Sequence, residues 1–180
     1  GRGWSATTFT GSIPDRATEP ILARGTKLFI DDAGGAIGTT QVLGKFINAS
    51  IVVNNQIHFK AFAEDVVGAA ANKVGRQDRL VDAQFTFEFD DDVEFAKYRS
   101  AVAVERLIRI HQDGSQIHSG SPTPTQNKYM QMDLYGYWSS WSRGDREGNL
   151  TATFGLMGFY DTTASKTFEL DINNALATLP

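Results

Sequence analysis

The chain has 180 residues, 41% of them hydrophobic and 21% charged, with a formal net charge of −4 and no cysteine. Those proportions fit one compact domain with a hydrophobic core and exclude a disordered polypeptide. They also remove disulfides, thiolate metal sites and thiol nucleophiles, and the 17 basic residues form no block that would mark a nucleic-acid-binding surface.

Residues 1–26 hold one short β-like piece at 6–10, then Pro14, Pro20 and scattered charges, the composition of an extended arm. Residues 1–9 lack the charged-then-apolar form of a signal peptide. No apolar run in the chain approaches the roughly 20 residues that cross a bilayer, so membrane binding is not expected. Residues 27–30 read as a short strand and residues 31–38, D-D-A-G-G-A-I-G, as a loop. Its glycines miss both nucleotide-binding patterns: Ala33 stands where G-x-G-x-x-G needs its first glycine, and Lys45 is followed by Phe46 instead of Ser or Thr. Residues 44–53 and 57–64 alternate around Asn54-Asn55, which predicts a long hairpin turning at the two asparagines. The stretch 64–78 is too rich in Gly and Ala for a core strand and long for an idle connection, so a partner-ordered loop is expected, with a short helix from Gly68 to Asn72 as the alternative.

The strongest element is residues 81–90, where Val81, Ala83, Phe85, Phe87 and Phe89 alternate with Asp82, Gln84, Thr86, Glu88 and Asp90. This is a two-faced strand, and burial of its phenylalanines, at about 1.5–3 kcal/mol each, requires a sheet around it. Asp90-Asp91-Asp92 then offers an N-cap to a short helix beginning at Val93, and an EF-hand reading fails because Phe95 occupies the position that needs glycine. Residues 106–111 return to strand, Asp113-Gly114 signals a hairpin turn, and residues 119–127 with Pro122 and Pro124 form a surface loop. Further strands are expected at 128–138, 149–160 and 167–173. With no internal repeat and no parallel βαβ rhythm, the 180 residues read as a single, mainly β domain, an antiparallel β-sandwich or barrel with one short α-helix. Its core is assigned to Phe85, Phe87, Phe89, Phe154 and Phe168.

Several short motifs lead nowhere in context. W-S-S-W-S at 138–142 and Arg143-Gly144-Asp145 suggest an extracellular receptor, a class that expects cysteine bridges this chain lacks. His58, His111 and His118 show no i, i+4 spacing, and no serine sits in a G-x-S-x-G elbow. No enzyme, cofactor or metal site is expected. The alternative function on these residues is a carbohydrate-binding β-sandwich module, with Tyr137, Trp138 and Trp141 as a stacking platform.

Four stretches in this order resemble the tail tube (major tail) proteins of long-tailed bacteriophages. They are V-L-G-K-F-I-N-A-S-I-V-V-N-N at 42–55, G-R-Q-D-R at 75–79, R-L-I-R-I-H-Q-D-G at 106–114, and R-E-G-N-L-T-A-T-F-G-L-M-G-F-Y-D at 146–161 with the strand ending at Asn174. The resemblance implies a subunit whose sheet completes a multi-subunit tube. Homo-hexameric rings would stack around a tape-measure protein, between tail-tip and tail-terminator proteins. The tube would form in the host cytoplasm, reside in the virion tail, and pass double-stranded DNA without binding it specifically. On this resemblance the lumen-facing residues are Asn48, Ser50, His58, Lys60, Asp82, Gln84, Thr86, Glu88 and Asp90, and an inter-ring loop includes Gly68, Asn72, Lys73 and Gly75.

Overall fold

A computed structural model describes residues 25–60, 73–118 and 126–174. The segment 6–10, Gly68 and Asn72 therefore lie outside the described residues, as do the prolines at 122 and 124. Among the described residues the fold is mainly β, with antiparallel sheets and one short helix. Strand β5 (Leu80–Glu88) buries Val81, Ala83, Phe85 and Phe87 and exposes Leu80, Asp82, Gln84 and Glu88, as two-residue periodicity requires. It lies between β2 (Phe46–Asn54) and β8 (Asn149–Gly158), and both pairings are antiparallel.

The long strand β7 (Gln126–Arg146) joins two layers. Its first half lies between β6 (Glu105–His118) and β9 (Phe168–Asn173), and β6 in turn pairs with β1 (Thr26–Asp32). Its second half pairs with β8, which gives the order β1-β6-β7-β8-β5-β2. The two halves close on one apolar cluster: Leu28, Ile30, Ile108, Ile110 and Leu134 from one layer meet Val81, Phe85, Phe87, Phe154 and Leu156 from the other. Phe85 stacks on Phe87 at 6.4 Å and meets Trp138 edge-on at 5.9 Å. Phe168 packs on the rim of this cluster, and Phe89, one residue past β5, packs at its end.

Helix α1 (Val93–Tyr98) closes that end. Asp92 makes no capping hydrogen bond. Asp91 accepts the Val93 amide instead, so the middle acid of the run does the capping. Phe95 packs against Trp141 with the rings tilted and their centroids 4.7 Å apart, and Glu94 accepts the Trp138 Nε1–H at 2.7 Å while pairing with the buried Arg106. Arg106 also pairs with Asp32, so three elements meet on one guanidinium and its charge is not left alone in the core.

Two expected turns are absent among the described residues, and a third connection is shorter than expected. Of the hairpin expected from 44–53 and 57–64, the described residues 57–60 do not pair with the first arm: β2 pairs with β5, which sets Ile51 beside Ala83 and Phe46 beside Phe87 on the core side. The chain breaks at Gln56, with φ of 50°, and β3 (Ile57–Lys60) pairs with β4 (Lys73–Arg76) as a separate two-stranded ribbon. Lys73 and Gly75, expected in a loop, are therefore ladder residues. Asp113-Gly114 is no turn either, because β6 continues through it to His118 while Asp113 accepts from Lys27 at 2.6 Å. The connection expected at 139–148 is mostly strand, and its turn is Glu147-Gly148, both with positive φ as a two-residue hairpin demands.

Candidate functional site: the open outer face of the β2-β5-β8-β7 sheet

Register fixes which residues share the face turned away from the core. Asn48, Thr86, Thr153 and Ser142 form one row across the four strands, and Ser50, Gln84, Gly155 and Ser140 the next. Above them lie Val52, Asp82, Met157 and Tyr137, and below them Glu88, Thr151 and Gly144. Thr86 and Thr153 hydrogen-bond across the ladder at 3.0 Å. The face is thus a carpet of hydroxyl and amide groups with a carboxylate near either end and Arg146 at its lower rim, opposite Asn149.

Of the nine residues expected to face a lumen, six, Asn48, Ser50, Asp82, Gln84, Thr86 and Glu88, share this open face of the sheet. The other three do not. His58 and Lys60 belong to the β3–β4 ribbon, because the strand pairing changes at Gln56. Asp90 lies in the bend after β5, where Lys45 pairs with it at 2.6 Å and also with Asp91. Sequence alternation missed the β7 and β8 contributions: a serine-rich run carries the same signal as a surface loop, and threonines at 151 and 153 name no partner.

The platform for sugars does not form. Trp138 and Trp141 both face inward, onto Phe85 and Phe95, and only Tyr137 is on the open side. Tryptophans three residues apart would point to opposite faces of a regular strand. The register shift between Trp138 and Ser140 reverses the alternation and turns both into the core.

Both lateral edges of this sheet are open among the described residues. No strand pairs with the second side of β2, and none pairs with residues 140–146 of β7 on the side away from β8. Proteins that stay monomeric usually blunt such edges with proline, lysine or a covering loop, and β2, F-I-N-A-S-I-V-V-N, carries none of the first two.

The opposite layer is covered. Residues 33–40 fold over it, held by Asp31, which accepts the amides of Gly38, Thr39 and Thr40 at 2.7, 3.1 and 2.8 Å. Gly38, with φ of 88°, sits where a Cβ would strike the Arg109 guanidinium, and Arg109 grips the buried Asp133 with two 2.7 Å hydrogen bonds. Beside them Glu105 and Asp161 form a carboxyl–carboxylate pair, and Glu105 Oε1 is buried without a partner. Burial first, then the hydrogen bond and charge of Asp161, push the Glu105 carboxyl up. The Ala164 amide, the largest of several causes, holds Asp161 down, so the two carboxyls are pushed apart and Glu105 is the more readily protonated of the pair.

A raised folded-state value stabilises fully below the unfolded value and is lost as pH rises through the folded one. Glu105→Gln, whose amide donates at every pH, should therefore leave acid stability nearly unchanged and raise the urea midpoint relative to wild type once pH passes that value. Urea titrations across the acid-to-neutral range check this, and a midpoint difference independent of pH would contradict it.

No family model matches the chain, and no curated protein matches it. Among solved structures it is similar to the SPP1 tail tube determined by solid-state NMR and cryo-EM, with a TM-score of 0.52 at 12% sequence identity over 77% of this chain and 75% of that one. At that identity the likeness is one of fold.

Proposed function

We propose that the chain is a structural subunit that self-assembles side by side into rings, and that the rings stack into the tail tube of a long-tailed bacteriophage. The observation that carries this reading is the parity of the open sheet. Four strands, each antiparallel to the next, leave β2 and β7 running in opposite directions at its two edges. Copies related by rotation about an axis along the strands therefore bring β7 of one against β2 of the next in antiparallel register, and the ring closes without an edge. With six copies, 24 strands about 4.8 Å apart and tilted about 40° give a barrel roughly 48 Å across between backbones, and about 35–40 Å clear of side chains. A DNA duplex fits with room to spare.

In this arrangement the hydroxyl and amide rows line the channel, with Asp82 and Glu88 its acidic groups. The ribbon that leaves the sheet at its Asn54/Leu80 end, and the segment 64–78 that contains β4, engage the neighbouring ring. The fold likeness to the SPP1 tail tube supports the same reading. A tape-measure protein during assembly, tail-tip and tail-terminator proteins at the two ends, and DNA during delivery are the partners it implies. The chain acts as a conduit and not as an enzyme, assembled in the host cytoplasm and resident in the virion tail. Negative-stain microscopy and sedimentation of the purified chain test it: rings or tubes with a central hole are expected on concentration. A chain that remains monomeric under all such conditions and binds polysaccharide would favour the carbohydrate module.

A further inference from the structure

At the Phe46/Glu88 end of the open sheet, opposite the ribbon, the described residues form a groove of about 360 Å³. Its floor is core: Ile30, Phe87 and Phe154 reach it, and its rim holds Leu43 and Val93, 69% and 56% exposed. Side chains of this size normally bury about 1.5–3 kcal/mol of transfer free energy, so leaving two of them in water beside an apolar floor is the mark of a surface that is covered in use. Glu88, Asp90, Asp91 and Glu94 surround it, with Lys45 as the cation among the groove's lining residues.

The β3–β4 ribbon is its complement. Register puts residues 57, 59, 74 and 76 on one face of the ribbon, and the described apolar residues there, Ile57 and Val74, are 50% and 62% exposed. Of the eight ribbon residues, Lys60, Lys73 and Arg76 are basic and none is acidic. Lys60 and Lys73 are register partners in the ribbon. Ribbon and groove cannot meet within one chain: the nine residues of β2 separate them, about 30 Å at 3.3 Å per residue.

We propose that the groove receives the β3–β4 ribbon of a second copy in the next ring. This rests on the ring-and-tube reading and names the acceptor that stacking requires. Donor and acceptor lie at opposite ends of strands that run along the tube, so the contact is head-to-tail, never satisfies itself in a closed pair, and propagates. Ile57 and Val74 fill the apolar floor, and a ribbon with three basic residues and no acidic one among its eight brings net positive charge to the acidic rim.

Leu43→Glu spoils the groove and Val74→Glu spoils the ribbon. Both positions are exposed, so each variant should keep the wild-type circular dichroism spectrum and the wild-type ring. Purified rings of either variant alone should show no stacks in negative stain. Mixed, they should give pairs of rings and nothing longer, because the ribbon of the Leu43→Glu ring finds an intact groove on the Val74→Glu ring and the remaining ends are both spoiled. Tubes from either variant alone, or a mixture that stays as single rings, would overturn the docking while leaving the ring reading standing. A wild-type chain that forms no rings would overturn both.

Discussion

Phe85→Asp should not fold. Phe85 is fully buried, stacked on Phe87 and edge-on to Trp138, at the centre of the strand on which both neighbouring pairings depend. Truncating a buried phenylalanine alone costs about 3–5 kcal/mol, and an unpaired carboxylate adds a desolvation penalty to that, against a typical total stability of about 5–15 kcal/mol. Phe85→Leu should retain the fold with a lower urea midpoint. If the aspartate variant unfolds cooperatively near the wild-type midpoint, this face of β5 is not the centre of the core.

The second large effect is on transport. Glu88→Lys with Asp82→Lys reverses two charges on the open face of every subunit, and both residues stand in water, where substitution perturbs stability little. DNA carries about one negative charge per 1.7 Å, and a wall of lysines would exchange its counterions and hold the duplex, whereas carboxylates, hydroxyls and amides cannot. Virions carrying the double variant should assemble normally and eject DNA more slowly than wild type, the more so at low salt, where screening is weakest. Ejection rate against salt measures it, and superimposed curves from well-formed virions would mean that this face does not line the channel.

How much of this is legible in the residues varies with how far each interaction reaches along the chain. The alternation of β5 announces its two faces directly, because burial of Phe85 and Phe87 and exposure of Asp82 and Glu88 repeat every second position. The partner of β2 is not announced. Asn54-Asn55 offers a local turn, but only β5, a strand beginning 25 residues farther on, gives Phe46 and Ile51 an apolar ladder neighbour within the core. Nor does alternation show where a strand leaves its face. Phe89 and Asp90 continue the β5 pattern, yet Lys45 draws Asp90 away and Phe89 turns to Phe95 and Trp141. In β7 the serines that read as loop are open-face residues of a strand, and the bulge before Ser140 hides the inward course of the two tryptophans.

Closure of the proposed ring requires β2 of one copy to meet β7 of the next, and the absence of native cysteine makes that contact directly measurable. Ser50 and Ser142 are on the open face, and within one chain they lie on strands three spacings apart, about 14 Å, too far for a short thiol cross-linker. In assembled Ser50→Cys/Ser142→Cys protein, such a cross-linker should give a ladder on denaturing gels that ends at the hexamer, while either single-cysteine variant stays monomeric, because the same position on adjacent copies is four strand spacings away, about 19 Å. Assembled double-cysteine protein that yields only monomers and dimers would contradict ring closure through these two edges.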